Sequence, residues 1–307
     1  MTSKALSRAM ISKYTLRSVF VILLALLLWW YLQPRFAGDL TVDSVAFSFF
    51  GIGVYWYGLI IATAILIGYE LIVRPELARR QINQDKFSTF VLILVLVALA
   101  GARLGFVAQN FGYYGKHPGE IVALWYGGLS IHGAIVFGVL WSWYYAKKIK
   151  LAPLEILDIV APSVVFGLAM GRFGNFFNQE LIGHPTSLPW KMYVAPDLRP
   201  TAIAASEFFH PVFLYESILD IIVLAALISI ARRKPKSGFV FFAFLGLYSI
   251  ARFIVEFYRY SDYFVIWRLT LAQVVSIVLL TASITAIARL RQQVPRRVKS
   301  VLAHKLS

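Results

Sequence analysis

Eight separate stretches of this 307-residue chain are apolar for long enough to cross a bilayer. A hydrocarbon layer of about 30 Å needs ~20 consecutive apolar residues when they are helical. Runs of this kind fall at about 18–32, 54–73, 88–109, 130–146, 154–177, 212–231, 239–257 and 269–287. They are continuous and do not alternate, which argues against barrel strands. Charged residues make up only 15% of the chain, against roughly 25% in soluble domains, and no stretch is left over for a soluble domain. The expected fold is all-α: a polytopic transmembrane helical bundle of about eight helices.

The net charge of +15 would suit a nucleic-acid partner, but its distribution does not. With the amino terminus placed in the cytoplasm, 21 of the 30 Lys and Arg residues fall in inward segments, six fall outside and three lie within helices. That bias is the positive-inside pattern. It explains the basicity by topology: both termini cytoplasmic, multi-pass, no nucleic acid. The first run has a basic flank and a short core, as a signal peptide does. The following Gln33-Pro34-Arg35-Phe36-Ala37-Gly38 lacks a clear small-x-small cleavage site, which favours a retained anchor. Residues 1–40 are therefore read as an extension with an anchor helix or uncleaved signal, 41–290 as the transmembrane domain, and 291–307 as a basic cytoplasmic tail.

There is no cysteine, hence no disulfide, thiolate metal site or thiol nucleophile. No close-spaced His, Asp and Glu set resembles a metal site. Neither a metal nor another cofactor is expected.

Three arginines interrupt the apolar runs: Arg103, Arg172 and Arg252. A guanidinium in a membrane helix costs at least ~2.5–3.5 kcal/mol, so it marks a functional site by default. At about 1.5 Å of rise per residue, Arg103, Arg172, Asn175, Arg252 and Glu256 lie late in outward-running helices. Tyr57 and His132 lie early in inward-running ones. All share the outer part of the membrane, which predicts a polar chamber opening to the outer leaflet and holding an anion. Tyr248, Arg252 and Glu256 are spaced i, i+4, i+8 and share a helix face, as do Arg172 and Asn175. Plainer roles exist for each: Arg252 and Glu256 could be a structural pair, Arg172 could snorkel, and His132 could be a hydrogen-bonded structural residue. The glycines around Arg103 and Arg172 suit close helix packing. Trp56, Trp125, Trp190 and Trp267 fall near the outer boundary, as an aromatic belt does. Residues 181–210 form the one long outer loop, and four prolines make it neither helix nor sheet throughout.

Gly171-Arg172-Phe173-Gly174-Asn175-Phe176-Phe177-Asn178-Gln179-Glu180-Leu181-Ile182-Gly183 resembles the signature of the bacterial phosphatidylglycerol–prolipoprotein diacylglyceryl transferase family. Supporting matches are Tyr55-Trp56-Tyr57-Gly58, Gly101-Ala102-Arg103-Leu104-Gly105, the segment from Gly127 through His132 to Gly133, His210-Pro211-Val212-Phe213-Leu214-Tyr215-Glu216, and the segment from Tyr248 to Arg259. The likeness runs from about residue 47 to 288. It implies a seven-helix core, to which the N-terminal helix is an addition. It also implies transfer of a diacylglyceryl group from phosphatidylglycerol to the lipobox cysteine thiol of a prolipoprotein, with release of glycerol phosphate, in the bacterial inner membrane. The partners implied are that membrane lipid and a prolipoprotein signal peptide carrying a lipobox cysteine. Ala134, Val212 and Leu271-Ala272-Gln273 depart from common family residues; none removes a charged position. On this reading His132, Arg172, Arg252, Tyr248 and Glu256 are the catalytic candidates, with His132 as base because imidazole titrates near neutral pH. Arg172, Asn175, Glu180, Gly183, Tyr57 and Arg103 are the substrate-binding candidates, with Arg103 either touching the head group or organising the interior. The alternative is a non-catalytic lipid or anion transporter on the same scaffold, which would want a polar path through both leaflets.

Overall fold

The computed structural model describes residue 23 and residues 26–124, 127–261 and 265–292. Among the described residues a helix overlaps each of the eight apolar runs: α1 (26–37), which continues past the expected end at residue 32, α2 (Trp56–Arg80), α3 (Gln84–Gln109), α4 (Ile131–Ile149), α5 (Pro153–Phe177), α6 (Val212–Arg232), α7 (Phe239–Val255) and α8 (Leu271–Gln292). Five of them, α2, α3, α5, α6 and α8, are long and apolar enough to cross a membrane. The shorter α4 and α7 have 19 and 17 residues. Two small antiparallel hairpins join the helices: β1 (Val45–Phe49) with β2 (Ile52–Tyr55), and β3 (Met192–Tyr193) with β4 (Phe208–Phe209).

The start and end of α2 differ from expectation. Residues 54 and 55 belong to β2, because Phe50 and Gly51 both take positive φ (48° and 78°) and close a two-residue hairpin turn. At its far end α2 runs through a π-helical turn at Tyr69–Val73 and on to Arg80. The segment from Arg74, expected in a loop, is helical. Side-chain pairs hold it: Arg74 to Glu70, and Arg79 and Arg80 to Glu76, at the i, i+3 and i, i+4 spacings that face each other on a helix. Gln81, at φ 58°, ends it.

Short connections bring the same ends of successive helices together. Asn83 caps α3 by accepting from Lys86 N at 2.9 Å. Lys150, at φ 58°, turns the chain from α4 towards Pro153 in the first turn of α5. Residues 233–238 join α6 to α7. Arg79, Arg80, Lys147, Lys148, Arg232 and Arg289 therefore gather at one end of the bundle. The long connections and the polar motifs gather at the other. Asp158, an acid in an apolar run, also belongs to the basic end. Its two carboxylate oxygens accept from Gly238 N (2.7 Å) and Phe241 N (2.8 Å), so it caps the start of α7 from a neighbouring helix.

Helix α5 is central, packing on α2, α6 and α7, while α3 pairs with α4 and α7 with α8. The α3–α4 crossing is nearly backbone on backbone. A Cβ on Gly133 would stand 2.1 Å from the Gly101 carbonyl oxygen, and one on Gly105 would stand 2.9 Å from Gly133 Cα. Small residues permit this approach in membranes, as the sequence implied. Gly133→Ala is expected to force the pair apart and to cost ~1–3 kcal/mol, the usual range for overpacking. Thermal unfolding in detergent measures this, and an unshifted midpoint would contradict so tight a crossing. At the polar end, Leu32 and Phe36 of α1 are buried against Phe176 and Phe213.

Candidate functional site: a bridged arginine pair

Three helices deliver one ionic cluster. Glu216, in the second turn of α6, stands between Arg172 of α5 and Arg252 of α7. Its Oε2 is 2.5 Å from Arg172 Nη2, and its Oε1 is 2.5 Å from Arg252 Nη1. Arg252 Nη2 lies 2.6 Å from Glu256 Oε2, one turn along α7. The Tyr248 hydroxyl is 3.5 Å from Arg172 Nη2. The side chains of both acids are 5% exposed, and those of the arginines 13–14%. Buried charges persist only when paired, and each guanidinium here has a carboxylate.

The pairing leaves groups to spare. Among the described residues, four buried side-chain atoms have neither a hydrogen bond nor an ion-pair contact: Arg79 Nη1, Arg172 Nε, Asp220 Oδ2 and Ser249 Oγ. Three of these lie in or beside the cluster. Asp220 is one turn beyond Glu216 and within electrostatic reach of Arg172 and Arg252; Ser249 follows Tyr248. Buried polar atoms are nearly always satisfied in folded proteins. Unpaired donors and acceptors together therefore mark a place suited to a polar ligand.

A second polar group adjoins it. Asn175 donates from Nδ2 to Glu180 Oε1 at 2.8 Å, and Asn178 donates to the same oxygen at 3.3 Å. Tyr57 lies across Gly174, where a Cβ would stand 2.3 Å from its ring, and it is within electrostatic reach of Glu180 and Arg172. Gly183 is just as constrained, since a Cβ there would lie 2.6 Å from His210 Cβ and from its carbonyl oxygen. The loop after α5 is tied to the chain after α7: Tyr260 N donates to Ile182 O (3.0 Å) and His184 N to Tyr258 O (2.9 Å). Arg259 sits there, its pKa lowered by burial and by Arg252. In the long loop, Trp190 Nε1 donates to the Tyr215 hydroxyl (2.7 Å), which lies 3.1 Å from His210 Nδ1. Burial, then His184, lowers the His210 pKa, so that ring is suited to accept from Tyr215 as neutral imidazole.

Residues 44–289 match the family model described as prolipoprotein diacylglyceryl transferase. The chain belongs to the prolipoprotein diacylglyceryl transferase family. It is 44% identical over 244 residues to the phosphatidylglycerol–prolipoprotein diacylglyceryl transferase of Trichormus variabilis, covering 77% of this chain and 86% of that protein. The proteins of the same name from Fervidobacterium nodosum and Staphylococcus aureus are 37% and 36% identical, covering 88% and 84% of this chain and 92% and 90% of theirs.

Of the positions that the diacylglyceryl transferase resemblance singles out, Arg172, Arg252, Tyr248 and Glu256 meet in the ionic cluster. Asn175, Glu180, Tyr57 and Gly183 adjoin it. Two do not join it. Arg103 is 5% exposed and gives its donors to five backbone carbonyls: Nε to Ile121 (2.7 Å), Nη1 to Gly127 (2.6 Å) and Gly128 (3.0 Å), Nη2 to Glu120 (2.6 Å) and Ala123 (3.3 Å). Of the two roles expected for Arg103, these contacts fit the organising one: every arm of its guanidinium reaches the segment that leads into α4. Arg103→Gln offers two donors in place of five. It is expected to raise amide exchange across residues 118–128 by about tenfold or more, as for a loop losing a buried hydrogen-bonded anchor. Exchange unchanged by mass spectrometry would contradict this anchoring.

His132 is the second departure. It is exposed in the first turn of α4, and no described contact joins it to the arginines. Arg172, Arg252, Tyr248 and Glu256 thus come into contact around Glu216, and His132 is not among them. Conversely, Glu216 and Asp220 were not among the expected site residues. Two acids one turn apart near the start of an apolar helix carry the same signal as a membrane arginine, and would have revealed them. Trp56 stacks on Phe177 with ring centroids 4.9 Å apart and Trp190 bonds Tyr215, so neither serves the aromatic belt alone; Trp267 is 97% exposed. Trp125 lies outside the described residues, as do the first basic segment used in reading the topology and the part of the last one beyond residue 292.

Proposed function

We propose that this chain transfers the diacylglyceryl group of phosphatidylglycerol to the lipobox cysteine thiol of a prolipoprotein signal peptide. It would do so in the bacterial cytoplasmic membrane, with both termini cytoplasmic and the arginine cluster toward the outer leaflet. The observation that carries this reading is the buried Arg172–Glu216–Arg252 bridge with Arg172 Nε unpaired beside it, in a chain of this family. Two guanidiniums are the right donors for a phosphate diester.

The substrate supplies the nucleophile, which suits a chain without cysteine. The sulfur attacks the glycerol carbon that bears the phosphate. A carbon–sulfur bond forms, the carbon–oxygen bond breaks, and the electron pair leaves on the phosphate oxygen as glycerol phosphate. Arg172 and Arg252 bind the phosphate and offset its growing charge where water is scarce. Glu216 and Glu256 hold the two forks in place. Tyr248, Asn175, Glu180 and Tyr57 orient the glycerol head group, and Gly183 lets the neighbouring loop approach it closely. His132 is exposed in the first turn of α4, outside the arginine cluster; the bound peptide would bridge the two and give up its thiol proton there.

Incubation of the purified protein with phosphatidylglycerol and a lipobox peptide tests the reading. A thioether-linked diacylglyceryl peptide is the expected product; lipid movement without peptide modification would instead indicate a transporter. His132→Gln is expected to lower the transfer rate ~10²–10⁴-fold, the usual worth of a general base, while phosphatidylglycerol binding persists. A transfer rate within about threefold of the parent's would remove His132 from the base role.

A further inference from the structure

Arg79 Nη1 is the one unpartnered buried atom, of the four above, that lies away from the arginine cluster. It sits in the last turn of α2, at the opposite, basic end of the bundle. Its sister nitrogens Nε and Nη2 both engage Glu76, at 2.7 and 2.5 Å. Arg80 Nε takes the same carboxylate at 2.6 Å. One acid thus serves two guanidiniums, and Arg79 keeps a buried donor, Nη1, that no atom of the described residues accepts.

Arg79 also lines a cleft of about 240 Å³ between α2, α5 and α6. Arg79 and Arg232 stand at its polar end, where helices α2 and α6 finish. Leu71 and Ile72, in the π-helical turn of α2, line it with Ile159 and Ile228 further along the bundle. Two acids also border the cleft, and both are engaged: Glu76 by the arginines, Asp158 by the amides of Gly238 and Phe241. Beyond Arg232 the chain continues Arg233-Lys234. The cleft is therefore amphiphilic along the bundle axis, cationic at the helix ends and apolar one to two turns inward. Basic pockets between helices at the cytoplasmic side of membrane proteins are suited to anionic lipid head groups.

We infer that this cleft binds an anionic phospholipid from the leaflet at the basic end, with its phosphate on Arg79 and Arg232 and an acyl chain along Leu71, Ile72 and Ile228. The site is separate from the arginine cluster and does not rest on the transfer reaction. Free phosphate shares the head-group chemistry but has no use for the apolar wall.

The test places full-length protein in phosphatidylcholine nanodiscs containing a trace of photoreactive phosphatidylglycerol or photoreactive phosphatidylcholine, and maps the crosslinked peptides. The phosphatidylglycerol probe is expected to label residues 71–79 and 228–232, and the phosphatidylcholine probe is not. Arg79→Gln should lower that labelling roughly tenfold, the worth of one charge-assisted hydrogen bond, with labelling at the Arg172 end retained. Ile228→Trp fills the wall without touching a charge. It should exclude the probe equally, and it decides the matter if Arg79→Gln does not fold, as judged by gel filtration. Equal labelling by both probes, labelling that survives the folded variants, or complete displacement by excess inorganic phosphate would each overturn the proposal.

Discussion

Glu216→Ala is expected to destabilise the protein and inactivate it together. Removing one partner of a buried ion pair typically costs ~3–5 kcal/mol, because the other charge is left unpaired. In this cluster one carboxylate satisfies two arginines from two other helices, so its loss leaves Arg172 with no acid and Arg252 with Glu256 alone. Asp220, one turn away, has an unpartnered oxygen and can recover part of the loss by shifting, which places the expected cost at the lower end of that range. The catalytic effect is larger. With the forks released, a displacement of about 1 Å at a phosphate in flight is enough to lower the rate ~10²-fold. Glu216→Gln keeps the oxygen and loses the charge, and should fall between the two. Thermal unfolding in detergent and the peptide-transfer rate are the measurements; a Glu216→Ala protein with normal stability and turnover would show that the bridge holds nothing together.

Arg172→Lys is expected to leave the fold intact and lower kcat ~10²–10³-fold, the range found when one pre-aimed donor to a developing oxyanion is removed. Lysine keeps the positive charge and can still pair with Glu216. What it lacks is the second edge of the fork: in arginine, Nη2 faces Glu216 while Nε is buried and unpaired. A compact ammonium cannot hold the carboxylate and the phosphate in one plane. A fall in kcat with KM little changed is the signature of a donor used most in the transition state. A rise in KM alone would assign Arg172 to ground-state lipid binding and remove it from the stabilisation of the leaving phosphate.

The helices were legible because hydrophobic length is a one-dimensional signal. Their ends were less so. Residues 54 and 55 are apolar enough for a span yet pair as a strand, because the turn at Phe50-Gly51 sends them back along β1. Residues 74–80 are charged enough for a loop yet stay helical, because their charges pair across turns. Depth along the membrane correctly grouped Arg172, Arg252, Tyr248 and Glu256. Depth says nothing about rotation around the bundle, and Arg103 and His132, on α3 and α4, share that depth without a described contact to the arginines. Glu216 was visible as part of a motif, but its role was not. Only three dimensions show that a carboxylate on α6 faces arginines on α5 and α7.

Two guanidiniums holding one lipid phosphate are the centre of the proposed mechanism. Solid-state NMR measures that contact directly, through nitrogen–phosphorus dipolar couplings between guanidinium-labelled protein and a phosphatidylglycerol analogue with a non-cleavable phosphonate link. Hydrogen bonds of about 2.8 Å to phosphate oxygens predict couplings corresponding to about 4 Å, with part of the signal lost in Arg172→Lys and part in Arg252→Lys. Couplings that persist unchanged in both variants, or that never appear in the parent protein, would contradict it.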